Sequence, residues 1–506
     1  MSNQAQGLDT MTKLKNYLEK YYALAMSEAM FSWDMQTAAP RGAWESISKI
    51  IGILSAEAFA MSISPEIKGY LDELSQPAPF SPVSDIDKAI VRICRKQYDQ
   101  THNIPVAEIR EYSELVAASD GVWRVAREEN DYGRFAPYLE KIIGFKKKFA
   151  EYIGYKDHPY DALLDMYEPD MTVAKLDVFF AQVRERVVPL LQKITKLNKP
   201  AGAFAKQPVS KAVQEALSAL MMRTIGYDLN RGLLAESAHP FTMGFSKDNV
   251  RITTHYHEDK FLSSVFSVLH EGGHALYEQN KSDDIKGTIL DTGISMGIHE
   301  SQSRFLENVI GRSREFWQSV WPEFSAIIGG CLGELSLDEF IFTINAVEPS
   351  LIRIEADELT YPLHIMVRYE LEKTLMSQVC AVEDLPRMWN EKYREYLGIV
   401  PPDDASGILQ DVHWSGGMFG YFPSYALGSA YAAQFLAALK AEMDVFALVR
   451  DGRLYKITDW LREKIHRHGS VYTPDVIIRQ ATGQDLNADY YVKYLEDKFS
   501  KIYGLA

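Results

Sequence analysis

The sequence predicts a mainly α-helical protein, one large unit with a small β-sheet beside its centre. Three observations carry this reading. Apolar residues recur at three- and four-residue spacing through most of the chain, as one face of an α-helix requires. A single short stretch alternates apolar and polar residues in the manner of a strand. The breaks are proline and glycine clusters, with no internal repeat, low-complexity tract or flexible Gly/Ser linker between them.

Taken in order, Leu14, Tyr17, Leu18, Tyr21, Leu24 and Ala25 share a face of the first helix, and Asp9 is placed to cap its start by accepting orphan N–H groups. The stretch QPAPFSPVSD (76–85) is rich in proline, which cannot donate to a helix ladder, so a connection is expected there. Helical runs follow over 86–101, 106–130, 137–153, 172–197 and 209–226, with breaks at Pro105, DYGR (131–134) and NKPAG (198–202). Within 239–257, Val250, Ile252 and Thr254 alternate with Arg251 and Thr253, which is the strand signal. Helical patterns resume at 261–280, 300–325, 336–346, 363–380, 384–397, 424–442, 452–466, 473–481 and 487–503. A single domain over 1–506 is expected, with a change of lobe near 235.

Composition narrows the function. The 506 residues are 46% hydrophobic and 24% charged, a globular balance that excludes a disordered or collagen-like chain. The 54 Lys+Arg against 69 Asp+Glu leave a net charge of −15, which disfavours nucleic acid and anionic membrane surfaces as partners. Cys94, Cys331 and Cys380 are too few and scattered for a disulfide framework or a thiolate metal site. The segment MSNQAQGLDT lacks the pattern of a secretory signal, and no uninterrupted apolar run reaches membrane-spanning length, so a cytoplasmic location is expected.

Residues 270–274 read His-Glu-Gly-Gly-His inside FLSSVFSVLHEGGHALYEQN. On a helix His270 and His274 project from one face a turn apart, which lets both imidazoles grip one Zn²⁺ while Glu271 reaches a water at the metal. The bland alternative is a pair of satisfied histidines on a core helix. Phe261, Leu262, Val265, Phe266 and Leu269 mark that helix as buried, and Gly272 and Gly273 imply that a backbone or substrate approaches closely. A catalytic zinc needs a third protein ligand and an open position. Glu300, in GISMGIHESQSRFLEN, is the candidate if it sits in the first turn of the next helix, although a glutamate there is ordinarily only a favourable charge. His299 reads as a neighbour or substrate contact, because a fourth ligand would close the site.

The chain resembles the carboxypeptidase Taq family of zinc metallocarboxypeptidases, and the likeness runs nearly end to end. It rests on FSWDMQTAAPRGA (31–43), HPF (239–241), DNVRITT (248–254), HEGGHALYEQ (270–279), HESQSRFLEN (299–308), IRIEADELTYPLHI (352–365), GILQDVHW (407–414), GMFGYFPSYALG (417–428) and KYLEDKFSKIYGL (493–505). Ala39 stands before Pro40 where methionine is expected, a difference of packing. The resemblance implies a large helical fold with a deep cleft, related to neurolysin and angiotensin-converting enzyme. It also implies a homodimer that removes single residues from the free C-termini of peptides, with His270, His274 and Glu300 as zinc ligands and Glu271 as catalytic carboxylate. Co²⁺ would suit the same donors.

Other roles follow from what the chemistry needs. Zinc acidifies a water and polarises the scissile carbonyl, Glu271 moves the proton, and a second donor toward the developing oxyanion is wanted. Tyr421 is the candidate by its position in the family's motif, with Tyr425 as the competing choice. Arg353 in IRIEAD suits a terminal carboxylate, since guanidinium matches carboxylate bidentately; its bland alternative is a salt bridge to Glu355 or Asp357. His413 is expected to hydrogen-bond the substrate or the oxyanion, or else to be a structural histidine held by Asp411. Arg251 is expected in a structural salt bridge, and the pair His255 and His257 is set aside as a metal site. Asp357 and Gln410 are expected to orient the metal ligands. An endopeptidase or dipeptidase of similar architecture, and a non-enzymatic scaffold, are the competing readings; Glu271 argues against the last.

Overall fold

In the computed structural model, which describes residues 3–80, 83–333, 335–377 and 380–505, short polar residues begin many of the helices and apolar stripes turn inward. The chain starts with α1 (Asn3–Thr37), α2 (Trp44–Ser62), α3 (Pro65–Leu74), α4 (Pro77–Phe80) and α5 (Asp85–Thr101). Ser64 caps α3 by accepting from Ile67 N–H, with Pro65 at the first helical position, and Ser84 caps α5 in the same way. α1, α3 and α5 share a small apolar cluster that includes Leu14, Leu71, Ile90 and Cys94 and extends to Ile285 and Leu290.

The chain continues through α6 (Val106–Glu128), α7 (Tyr132–Ile153), α8 (Pro159–Leu164), α9 (Val173–Thr195) and α10 (Lys211–Ile225). A three-stranded sheet follows: β1 (Gly232–Glu236), β2 (Thr242–Ser246) and β3 (Asn249–Thr254). The strand that alternation marks, β3, lies in the middle, parallel to β1 and antiparallel to β2. Next come α11 (Phe261–Gln279) and α12 (Met296–Arg304), the latter running into a π-helical turn (Phe305–Ile310), then α13 (Arg314–Ile328) and α14 (Leu337–Ile344). The last helices are α15 (Tyr361–Met376), α16 (Leu385–Leu397), α17 (Pro423–Glu442), α18 (Val445–Arg450), α19 (Tyr455–Lys464), α20 (Pro474–Thr482) and α21 (Ala488–Tyr503). One large apolar cluster runs through these later elements, from Trp123 to Tyr503.

Several expectations change. Asp9 lies inside α1 and pairs with Lys13 one turn on, because the helix begins earlier than its apolar stripe. The proline-rich 76–85 contains a four-residue helix, whose prolines fall in the first turn where their missing N–H costs nothing; residues 81 and 82 lie outside the described residues. Of DYGR only Asp131 is a break, since it caps α7 by accepting from Arg134 N–H. The helix expected over 300–325 divides into α12, the π-turn and α13, which Ser313 restarts as a cap. α2, α3, α8 and α18 were not expected. α2 evades a periodicity search because its apolar residues do not keep to one face: Trp44, Ile50 and Ile53 are exposed. Within 41–74 a helical window is long and apolar enough by composition to cross a membrane, although Lys49 and Glu57 interrupt the apolar run.

Two glycines let the central helices meet. A Cβ on Gly273 of α11 would lie 2.3 Å from Gln302 O of α12, and one on Gly428 of α17 would lie 2.5 Å from Glu300 Cγ. The close approach expected at Gly272 and Gly273 is therefore real, with the Ile225 side chain over the first and the α12 backbone over the second.

Candidate metal centre

α11 presents His270 and His274 from one face with ring centroids 5.0 Å apart, and α12 brings Glu300 against them. Glu300 Oε2 lies 3.6 Å from His270 Nε2 and 3.4 Å from His274 Nε2. Donors each about 2.1 Å from one tetrahedral ion stand about 3.4 Å apart, so Glu300 stands from each histidine at the separation that shared ligation of a divalent metal needs. Glu300 is not in the first turn of its helix. It follows a full turn begun at Met296 and capped by Ser295, so a helix-terminus charge does not explain it.

What aims the histidines is a second set of side chains. His270 Nδ1 lies 2.9 Å from Glu307 Oε2. His274 Nδ1 lies 2.6 Å from His299 Nδ1, and His299 Nε2 lies 2.9 Å from Glu278 Oε1. Glu278, ion-paired to buried Lys281, is an acceptor, so His299 donates to it and accepts from His274. That chain leaves His274 Nε2 unprotonated toward the centre, as a metal ligand requires. Arg304 donates to Glu300 Oε1 at 2.7 Å and to Glu307 Oε2 at 3.3 Å while lying 4.2 Å over the Tyr361 ring.

These contacts correct the sequence reading at three residues. Both nitrogens of His299 are engaged within the protein, one with His274 and one with Glu278, so it is a neighbour of the triad with no nitrogen left for substrate. Asp357 accepts from the backbone N–H groups of Glu348, Leu359 and Thr360. Gln410 accepts from Arg353 N–H and donates to Leu351 O, so both organise loops and do not touch the metal histidines.

Charge is arranged to suit the group. Burial works against the ionised form of Glu300, but Arg304 and His270 hold its carboxyl far below the usual range. Burial brings His274 down to about 4, keeping it neutral, whereas the carboxylates around His270 outweigh burial and raise it. Burial raises Glu271 above an ordinary glutamate. Its Oε2 accepts from the Thr242 hydroxyl at 2.6 Å, so β2 fixes the carboxylate beside the triad.

A second group of predicted residues gathers nearby. His413 Nε2 lies 3.2 Å from Tyr425 Oη, and the Tyr421 ring meets Tyr425 edge-on at 5.1 Å and His413 at 5.6 Å. Burial pushes Tyr421 up to about 12 and brings His413 down to about 4, so one is a neutral phenol and the other a neutral imidazole. His413 Nδ1 is buried without a partner among the described residues, and Asp411 does not hold it. Asp411 lies between Arg353 and Arg368, at 2.9 Å and 2.6 Å. The pronged edge of Arg353 is thus taken by Asp411 and not by Glu355 or Asp357, leaving Nη1 against Tyr361 Oη at 3.3 Å and the guanidinium 5.0 Å from the Tyr425 ring.

Arg251 has no salt-bridge partner among the described residues: its guanidinium lies against the Phe245 and Trp33 rings, at 4.9 Å and 5.5 Å, and donates to Asn249. The His255 and His257 rings lie 4.3 Å apart, centroid to centroid, with His255 Nδ1 on Ser237 O. A cavity of about 900 Å³ between α17 and α21 shares no residue with the triad.

Sequence reasoning missed Thr242, Glu278, Arg304 and Glu307. Glu278 was legible, because it follows His270 and His274 at the same four-residue interval on α11. Thr242 was not, since a long loop and a strand pairing bring it to Glu271.

The sequence pattern of the carboxypeptidase Taq (M32) metallopeptidase family matches residues 13–499. Carboxypeptidase 1 of Bacillus subtilis is 43% identical over 499 residues, covering 98% of each chain. Thermostable carboxypeptidase 1 of Thermus thermophilus is 38% identical over 493 residues, covering 95% of this chain and 96% of its own. The crystal structure of M32 carboxypeptidase from Deinococcus radiodurans superposes with a TM-score of 0.94 at 34% identity, over 98% of this chain and all (100%) of that one.

Proposed function

Because the chain belongs to the carboxypeptidase Taq (M32) metallopeptidase family, we propose that its His270–His274–Glu300 triad holds zinc and that Glu271 is the proton carrier of hydrolysis at a peptide's free C-terminus. The family makes the chain a metal-dependent peptide-bond hydrolase. The observation that carries the finer reading is the convergence of three donor atoms, with Glu300 Oε2 3.6 Å and 3.4 Å from the two Nε2 atoms.

When bound, a divalent ion there supplies Lewis acidity, acidifying water and polarising the scissile carbonyl. Glu271, raised by burial and held by Thr242, takes the proton of the attacking water and returns it to the leaving amine. Tyr421, a neutral phenol, donates to the oxyanion as it forms. His413, beside Tyr421 and Tyr425, is the neutral imidazole that contacts the substrate or the oxyanion. Arg353 and Arg368 share one Asp411, and the surplus positive charge, with Arg353 Nη1, draws the terminal carboxylate toward Tyr425. Co²⁺ would fit the same donors.

The test is release of free amino acid from an N-blocked tripeptide and from its C-terminally amidated twin, with chelator and with Zn²⁺ or Co²⁺ restored. Release from the free acid alone, lost with chelator and recovered with metal, is expected; cleavage of both peptides would make the protein an endopeptidase. Glu271→Gln should retain metal and lower kcat on the order of 10²- to 10⁴-fold, and an unchanged kcat would exclude it as the proton carrier. Arg353→Ala should raise KM for the free acid far more than for any amide turnover; equal effects would remove Arg353 from carboxylate recognition.

A further inference from the structure

Tyr421 stands at the end of a loop whose path is set by a side chain from another element. Glu372 of α15 is fully buried, with Oε1 accepting from Trp414 Nε1–H at 2.7 Å and Oε2 accepting from Gly420 N–H at 2.8 Å. The Tyr160 hydroxyl of α8 also donates to Oε2. One carboxylate therefore ties both ends of the 414–420 loop: Trp414 follows His413 and Gly420 precedes Tyr421. Gly420 has φ +92°, and a Cβ there would lie 2.6 Å from Leu163 O, so glycine alone lets the chain turn its N–H into the carboxylate.

No lysine or arginine pairs with Glu372 among the described residues; Lys146, the cation that bears on it, lies over the Tyr112 ring. Burial pushes the Glu372 carboxyl up to about 7 against the pull of Tyr160, Gly420 and Trp414, so the three directed donors are what hold the group in place. Glutamine would keep the volume, but its amide nitrogen would face at least one of the Trp414 and Gly420 N–H donors, neither of which can accept.

We propose that Glu372 is a positioning residue for peptide hydrolysis, clamping the 414–420 loop so that the Tyr421 hydroxyl is held toward the substrate carbonyl. The proposal rests on the reading of Tyr421 as oxyanion donor. It accounts for a polar cluster that sits under the loop and touches neither the triad nor the substrate.

The experiment is a double-mutant cycle on the metal-loaded full chain, with kcat and KM for the blocked tripeptide, bound metal and melting temperature measured for wild type, Glu372→Gln, Tyr421→Phe and the double variant. Glu372→Gln should lower kcat at least tenfold, change KM less than threefold and leave bound metal unchanged. Added to Tyr421→Phe, it should cost less than threefold, because the group it positions is gone. An unchanged kcat, or the same loss in both backgrounds, would overturn the proposal. If Glu372→Gln does not fold, Trp414→Phe removes one donor to the clamp, and the same two results decide. A Tyr421→Phe variant as active as wild type would instead sink the reading of Tyr421, and the clamp with it.

Discussion

A metal at the candidate centre would need His274 Nε2 unprotonated, which holds while Nδ1 is the donor, and His299 Nδ1 lies 2.6 Å from that Nδ1. Removing such a partner typically weakens metal binding 10- to 100-fold. His299→Ala should therefore lower zinc affinity on the order of 10- to 100-fold in competition with a chelating dye, with the fold retained. Unchanged affinity would mean that the ring is oriented by packing alone. Gly428 tests the proposed third ligand, Glu300, from behind: a methyl there would collide with Glu300 Cγ at 2.5 Å. Gly428→Ala should displace the carboxylate and weaken metal binding, although glycine to alanine ordinarily favours a helix by about 1 kcal/mol. Both effects were beyond the motif. His270, Glu271 and His274 announce themselves by spacing on one helix, whereas Gly428 lies more than a hundred positions from Glu300.

At the scale of elements, the site depends on how α12 is seated. Its first turn is fixed by Glu168, which accepts from Gly297 N–H at 2.9 Å and from the Tyr431 hydroxyl of α17 at 2.8 Å. Burial pushes the Glu168 carboxyl up to about 7, against the pull of Tyr431, Ser295 and Gly297, with Asp475 of α20 adding to the rise. An acid raised in the folded state contributes stability that is present below its unfolded pKa and is lost as pH rises through its folded one. Between pH 5 and 8 wild type should lose roughly 2 to 3 kcal/mol more unfolding free energy than Glu168→Gln, measured by denaturant titration. Parallel pH dependences would show that Glu168 ionises as freely in the fold as outside it. Gly273→Ala, whose Cβ would meet the α12 backbone, should cost about 1 to 3 kcal/mol by overpacking.

At the scale of the molecule, most of the buried apolar residues among the described residues fall into two clusters, a large one around α11, α12 and α17 and a small one shared by α1, α3 and α5. Arg251 against Trp33 and Phe245, and the Tyr22 hydroxyl on Phe245 O, attach α1 to the sheet beside the site. Segments with fewer buried contacts open at lower free energy. Native-state hydrogen exchange should show α1 and α2 opening below the global unfolding free energy while α11 and α17 exchange only with it. Exchange of all four at one free energy would make the chain a single cooperative unit.

The sequence by itself determined the helical class, the position of the central strand, and the His270–His274 pair on one helix face, because periodicity and ligand spacing are local properties. Glu300 was legible as a candidate, and the wrong turn was assigned to it because a helix start depends on a cap at Ser295 that periodicity does not reveal. Only the tertiary structure decided that Asp411 takes the edge of Arg353, that His299 meets His274, that Thr242 meets Glu271 and Glu307 meets His270, and that Glu372 meets Trp414 and Gly420. Those partners are set by packing between elements far apart in the chain. A side chain's hydrogen bond is decided by whichever neighbour arrives, and helical spacing predicts neighbours only within one helix.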